Sequence, residues 1–306
     1  MVFKELAGTT LSQILTFNSN RLFKGNIQSA PAPPIFLLGM TGRTGTNFFS
    51  RLLAHHPKCI QCHIHEGYLL KHITLLNQYT EETLQQWHTI MPADQLPQSL
   101  ARFQACLGEG LVHYLEALTS ENLTPNHRCS HFKGQRLIIK TPSVENIDKF
   151  FQFFPDSPLL LLVRDGKAVV ESQARSFNYD REILMHRWAK AADRIIQFEQ
   201  AQSNNSKQYR IFKYETLHTQ TTQEISNVLA FLNLDKSDYP FQSALSLTVT
   251  GSSTFGRTSG QPISWQQTPK TTDFDPLNRA SNWTISDRKK FSKIAGEQMR
   301  YFDYPL

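Results

Sequence analysis

Four short apolar runs divide the middle of the chain, and each closes on a polar residue or a glycine. They lie over 35–38, ending at Gly39; over 136–140, ending at Lys140; over 158–163, followed by Arg164; and over 209–213, followed by Tyr214. In 158–163 the apolar residues are continuous, the pattern of a strand covered on both faces of a parallel sheet. Between the runs the spacing turns helical. It predicts helices from Thr46, over 66–118 with a break near 91–97, over 143–154 with Ser143 as N-cap, and over 166–177, 181–202 and 219–232. A mildly amphipathic helix is expected over 11–23, and a closing helix runs from a cap at Ser286 through Arg300. Strands alternating with helices make an α/β fold, a central parallel sheet flanked by helices, within one domain over 1–306. Its expected appendages are an N-terminal extension over 1–33, a helical insertion over 67–135 and a loop rich in Gly, Ser and Thr over 248–270. Ligands of such sheets sit at the C-terminal ends of the strands, where Gly39, Lys140, Arg164 and Tyr214 fall.

The first strand runs through G-M-T-G-R-T-G into a helix. Glycines at 39, 42 and 45 are expected to keep the turn clear of Cβ clashes, and the helix opens with backbone N–H groups that lack intrahelical partners. An anion belongs at such a terminus. Arg43 adds a guanidinium that can grip a phosphate or sulfate at two points, and Thr44 and Thr46 add hydroxyl donors. A Walker A loop would need Lys and then Ser or Thr after its last glycine, whereas Gly45 is followed by Thr46 and Asn47.

With 306 residues and 40% hydrophobic content the chain can bury a full core. Its net charge of +6 suits a small polyanionic ligand, and without a basic block or stripe nucleic acid is not an expected partner. No stretch is apolar for long enough to span a membrane, and the first 28 residues lack the features of a signal peptide. Four cysteines in that setting point to reduced thiols in a cytoplasmic protein. Cys59-Ile60-Gln61-Cys62-His63 matches a haem-attachment pattern and, with His65, offers zinc-like ligands. Lacking export and a second ligand pair, it is taken as coincidence, and no metal is expected.

Further resemblances accumulate at the strand ends. R-T-G-T over 43–46 resembles the [RK]-S-G-T-[TS] loop of sulfotransferases that use 3′-phosphoadenosine-5′-phosphosulfate (PAPS), with Gly42 in place of a usual Pro and Asn47 in place of Ser or Thr. V-R-D-G-K-A-V-V-E-S over 163–172 resembles the element whose Arg and Ser, here Arg164 and Ser172, bind the cofactor's 3′-phosphate; Gly166 replaces a usual Pro. Lys140-Thr141-Pro142 resembles the element whose Lys approaches the transferring group, and F-K-Y-E-T-L over 212–217 the one whose Tyr, here Tyr214, lies against adenine. The run 251–260 resembles the C-terminal cofactor loop and implies Ser252, Ser253 and Arg257, with Lys270 a weaker member. The resemblance therefore implies a P-loop-type domain and PAPS as co-substrate. Its ligands would be Arg43, Thr44, Gly45, Thr46, Asn47, Arg164, Ser172, Tyr214 and the C-terminal loop. Arg43 and Lys140 would offset the charge that builds on the leaving phosphate.

An acceptor hydroxyl or amine also needs a base. Pro142 stands where many cytosolic sulfotransferases have His, so that mechanism is closed at this position. Tyrosylprotein and heparan-type branches place a Glu shortly after the P-loop helix, and Glu66 stands in that region, with His63 and His65 as alternates. An acid there would also suit the start of a helix. The acceptor is expected to be a small molecule, a carbohydrate or a peptide. Two rivals remain: a P-loop kinase or nucleotidase using ATP and magnesium, with Asp165 as metal ligand, and a non-catalytic nucleotide-binding protein.

Overall fold

The computed structural model describes residues 32–119, 135–202, 207–250, 267–269 and 274–306. The helix expected over 11–23 and the cofactor-loop residues Ser252, Ser253, Arg257 and Lys270 lie outside them. Five strands form one parallel sheet in the order β2-β3-β1-β4-β5: β1 (Ile35–Gly39), β2 (Cys59–Gln61), β3 (Arg136–Thr141), β4 (Leu159–Val163) and β5 (Tyr209–Lys213). Leu37 on β1 stands level with Lys140 on β3 and Leu160 on β4. With β3 on one side of β1 and β4 on the other, the C-terminal end of β1 lies at a switch point, where such sheets open a crevice.

The helices are α1 (Thr46–Leu53), α2 (Ile73–Trp87), α3 (Leu96–Thr119), α4 (Phe150–Phe153), α5 (Gly166–Phe177), α6 (Arg181–Ala201), α7 (Tyr214–Thr219), α8 (Thr221–Phe231), α9 (Phe241–Leu245) and α10 (Ile285–Tyr301). A short antiparallel pair, β6 (Val249–Thr250) and β7 (Gln267–Thr268), stands apart from the main sheet. The period of two along each strand sorts its side chains between two cores. Phe36, Leu38, Leu161 and Val163 join the core that holds Val169, Trp188 and Phe291; Ile35, Leu37, Leu160 and Leu162 join the core that holds Phe49, Leu52 and Leu229. Both faces of the central strands are covered, which is why β1 and β4 carry no polar side chain. Among the described residues no helix is long and apolar enough to cross a membrane.

The structure departs from several expectations. Residue 66 does not open a helix: Tyr68 takes φ 46°, a 3-10 turn follows over Leu69–His72, and α2 begins only at Ile73. The helix expected over 143–154 shrinks to a 3-10 turn, Ile147–Lys149, and α4, because Asn146 at φ 57° interrupts it. Ser143 instead closes a local turn, its Oγ accepting from the Glu145 N–H at 3.2 Å. Thr284, not Ser286, caps α10, and it exchanges bonds with Asp287 in a capping box. The expected helix over 219–232 is preceded by the separate turn of α7. Cys59 and Cys62 bracket the unexpected edge strand β2 and enter opposite cores, so the C-x-x-C-H residues do not form a ligand set.

Candidate active site

The turn after β1 is built by two close approaches and two left-handed residues. A Cβ on Gly39 would lie 2.5 Å from Thr46 Cγ2, and one on Gly45, at φ +111°, would lie 2.4 Å from the Tyr214 ring. Gly42 behaves otherwise. Nothing stands within 4 Å of its Cβ position, so the clash expected there does not arise, and the left-handed neighbour is Arg43 at φ 67°. Such a conformation costs a residue with a side chain about 1–2 kcal/mol. Two long-range bonds hold it: Arg164 Nη1 donates to the Arg43 carbonyl at 2.8 Å, and Arg43 Nε donates to Ser172 Oγ at 3.2 Å. Residues that follow β1 and β4, and one from α5, thus meet at one loop despite their distance in sequence.

The cap position before α1 is Gly45, which has no side chain to offer, so the first N–H groups of the helix are left without a side-chain partner from the cap position. An open cavity of about 390 Å³ lies against this terminus. Gly42, Arg43, Gly45, Thr46, Asn47, Arg164, Ser172 and Tyr214 line it, as does Glu66. Thr44 does not. It is 1% exposed, and its hydroxyl donates to Thr41 O at 2.7 Å while accepting from the Thr41 N–H, so it braces the loop from inside.

Arg43, Arg164 and Arg279 converge on the cavity, which Arg51 also lines. Burial, then the charges of Arg164 and Arg279, push the Arg43 guanidinium down to about 10. Arg279 is lowered likewise by burial and by Arg164. Arg164 is buried, donates Nη2 to the Pro276 carbonyl, and stacks its guanidinium 4.2 Å from the centre of the Tyr214 ring. Its Nε is buried without a hydrogen-bond partner among the described residues. Tyr214 continues into an aromatic wall: His218 lies parallel to it at 5.8 Å, and Phe48 meets both rings edge-on at 6.2 and 6.1 Å.

Glu66 is the only carboxylate lining the cavity among the described residues. Its Oε2 accepts from the Tyr68 hydroxyl at 2.6 Å, and its Oε1 lies 3.5 Å from Lys140 Nζ. Lys140, 5% exposed, does not line this cavity and donates to Asn47 Oδ1 at 2.6 Å; burial lowers its pKa, and the neighbouring Glu66 opposes that shift. His65 borders a separate space of about 30 Å³ on the Lys140 side, and His63 is exposed and borders neither cavity. Asp165 is occupied structurally: it caps α5, accepting from the Ala168 N–H at 2.9 Å, and lies 4.0 Å from Lys167 Nζ. Among the described residues there is no cluster of three or more His, Cys, Asp or Glu able to hold a metal ion.

Sequence reasoning passed over Arg279, Tyr68, Phe48 and His218, all of which line the cavity. His218 could have been found, since it follows Tyr214 by four residues and so shares its helical face. Arg279 carries no local signal. Arg51 was passed over as well: from the last turn of α1 it donates to Thr248 O at 2.6 Å and to Thr250 Oγ1 at 2.8 Å, tying β6 to the cavity rim.

A model of the sulfotransferase family matches residues 33–238, more than half of the chain. Among solved structures, a sulfotransferase domain from the Synechococcus PCC 7002 olefin synthase aligns over 94% of this chain and 100% of its own, at 19% identity with a TM-score of 0.52, which shows a shared fold. A sulfotransferase domain from the curacin biosynthetic pathway aligns over 90% of this chain and 100% of its own, at 17% identity with a TM-score of 0.48. No curated protein sequence matches.

Proposed function

Since the chain belongs to the sulfotransferase family, we propose that it transfers the sulfuryl group of PAPS to a hydroxyl or amine of its acceptor, with Glu66 as the base. The observation that carries the donor assignment is the convergence of Arg43, Arg164 and Arg279 on one cavity beside the uncapped start of α1. The fit to a donor carrying two separate anionic groups is good. The backbone of 43–47 and the terminus of α1 suit the phosphosulfate. Arg164, with its orphaned Nε, Ser172 and Arg279 suit a second phosphate, and the wall of Phe48, Tyr214 and His218 suits a flat base. Ser252, Ser253 and Arg257 remain candidates for the same phosphate.

Glu66 has the geometry of a base. One carboxylate oxygen is held by Tyr68 and the other is steered by Lys140, so its orientation is set before an acceptor arrives. Removing the acceptor's proton as its oxygen or nitrogen attacks sulfur leaves charge on the departing phosphate, which Arg43 offsets from the loop. Lys140 holds Asn47 and Glu66 in register, and its ammonium adds positive charge behind the reacting groups. The ATP rival has no comparable support, because Asp165 is spent on the cap of α5.

Calorimetric titration with 3′-phosphoadenosine-5′-phosphate (PAP) and with ATP tests the donor. PAP is expected to bind at least about tenfold more tightly, the margin of one further charge-assisted contact. Tighter binding of ATP would sink the reading. Tight PAP binding with no turnover of PAPS across phenols, sugars, lipids and peptides would leave a nucleotide-binding protein without the transferase step.

A further inference from the structure

Gln173 is the residue on α5 next to Ser172, and its side chain grips the cradle twice. Nε2 donates to Thr41 Oγ1 at 3.1 Å and to the Gly42 carbonyl at 2.8 Å. Thr41 Oγ1 also donates to the Gly42 carbonyl, at 3.1 Å, so the three groups close a ring of bonds at this corner of the loop. The next carbonyl along, that of Arg43, accepts from Arg164. A peptide unit is planar, and its C=O and N–H point in opposite directions. Holding the Gly42 carbonyl therefore aims the Arg43 N–H, and holding the Arg43 carbonyl aims the Thr44 N–H. Consecutive N–H groups flanking a left-handed residue form the kind of concavity that receives an anion.

The contact matters because no neighbour packs where a side chain at residue 42 would lie. With no atom within 4 Å of its Cβ position, Gly42 is restrained by Gln173 and Thr41 rather than by neighbours. We propose that Gln173 is a positioning residue for the donor site: it fixes the peptide between Gly42 and Arg43 and so supplies the stiffness that glycine at 42 withholds. The inference deepens the proposed function, on which it relies for the identity of the anion.

Gln173→Met keeps the length of the side chain and removes the donor. Its dissociation constant for PAP is expected to rise about tenfold, the effect of two neutral hydrogen bonds partly transmitted to the ligand. The KM for PAPS should rise with it while kcat stays unchanged. Hydrogen exchange of the amides of 41–45 in the ligand-free protein should accelerate. Gly42→Ala, whose added methyl meets no protein atom, should recover about threefold of the lost affinity in the Gln173→Met background. Exchange in 41–45 that is unaltered by Gln173→Met, or PAP affinity that stays within about twofold, overturns the proposal. Gln173→Leu, which also lacks the amide donor and adds no charge beside the anion, gives the same test if the methionine variant does not fold. Should the wild-type protein take up no PAP, the proposed function fails, and the exchange rates alone decide whether Gln173 holds the loop.

Discussion

Arg43 and Glu66 face the same cavity with opposite charge, and their partners explain what each can do. Arg43 is held in an unfavourable backbone conformation by contacts to Arg164 and Ser172, so its direction is set by residues more than a hundred positions away. Glu66 stands in a segment without regular structure, yet both of its oxygens have partners, Tyr68 and Lys140. A base so placed should be irreplaceable by its amide. Glu66→Gln is expected to lower kcat by about 10²–10⁴-fold, the usual contribution of general base catalysis, while PAP affinity measured by calorimetry stays near wild type. Undiminished kcat would shift the role to another group, His65 first, since it borders the other side of Lys140.

Among the elements, α3 shows how closely backbones approach in this fold. A Cβ on Gly108 would lie 1.8 Å from the Phe153 carbonyl, so α3 and α4 touch backbone to backbone at that point. Gly108→Ala must push them apart, and a loss of about 1–3 kcal/mol in unfolding free energy is expected from urea titration, the range for overpacking. Gly110 is the control on the same helix. Nothing lies within 4 Å of its Cβ position, so Gly110→Ala should be neutral or stabilise by up to about 1 kcal/mol through helix propensity alone. Equal effects at the two sites would mean that the α3–α4 approach is looser than described. The helix itself was legible from apolar spacing. Which of its two glycines faces a neighbour was not, because that depends on how α4 lies across it. The same holds for the shortened helix after β3, where Asn146 at φ 57° prevails over helix-compatible spacing.

For the whole molecule, the cationic cavity links ligand binding to stability. Burial and mutual repulsion hold Arg43 at about 10 rather than 12.5. A basic group whose pKa is depressed on folding disfavours the folded state at neutral pH, and that penalty fades only as pH rises through the window between those two values. At neutral pH an anion removes the penalty instead. PAP at a hundred times its dissociation constant should stabilise the protein by about 2.7 kcal/mol, seen as a raised melting temperature. The gain should shrink in high salt as affinity falls. No rise under saturating PAP would contradict the assignment of the cavity. The sequence by itself determined the parallel α/β architecture and the strand ends that carry chemistry, because buried strands and amphipathic helices write their periods locally and Gly39, Lys140, Arg164 and Tyr214 each close or follow an apolar run. Tertiary structure alone decided that Arg279 joins Arg164 at the cavity, that Thr44 turns inward, that Lys140 stands behind Glu66, and that Gln173 holds Gly42. Those outcomes depend on where a side chain points once separate elements have packed, and no local pattern of residues encodes that direction.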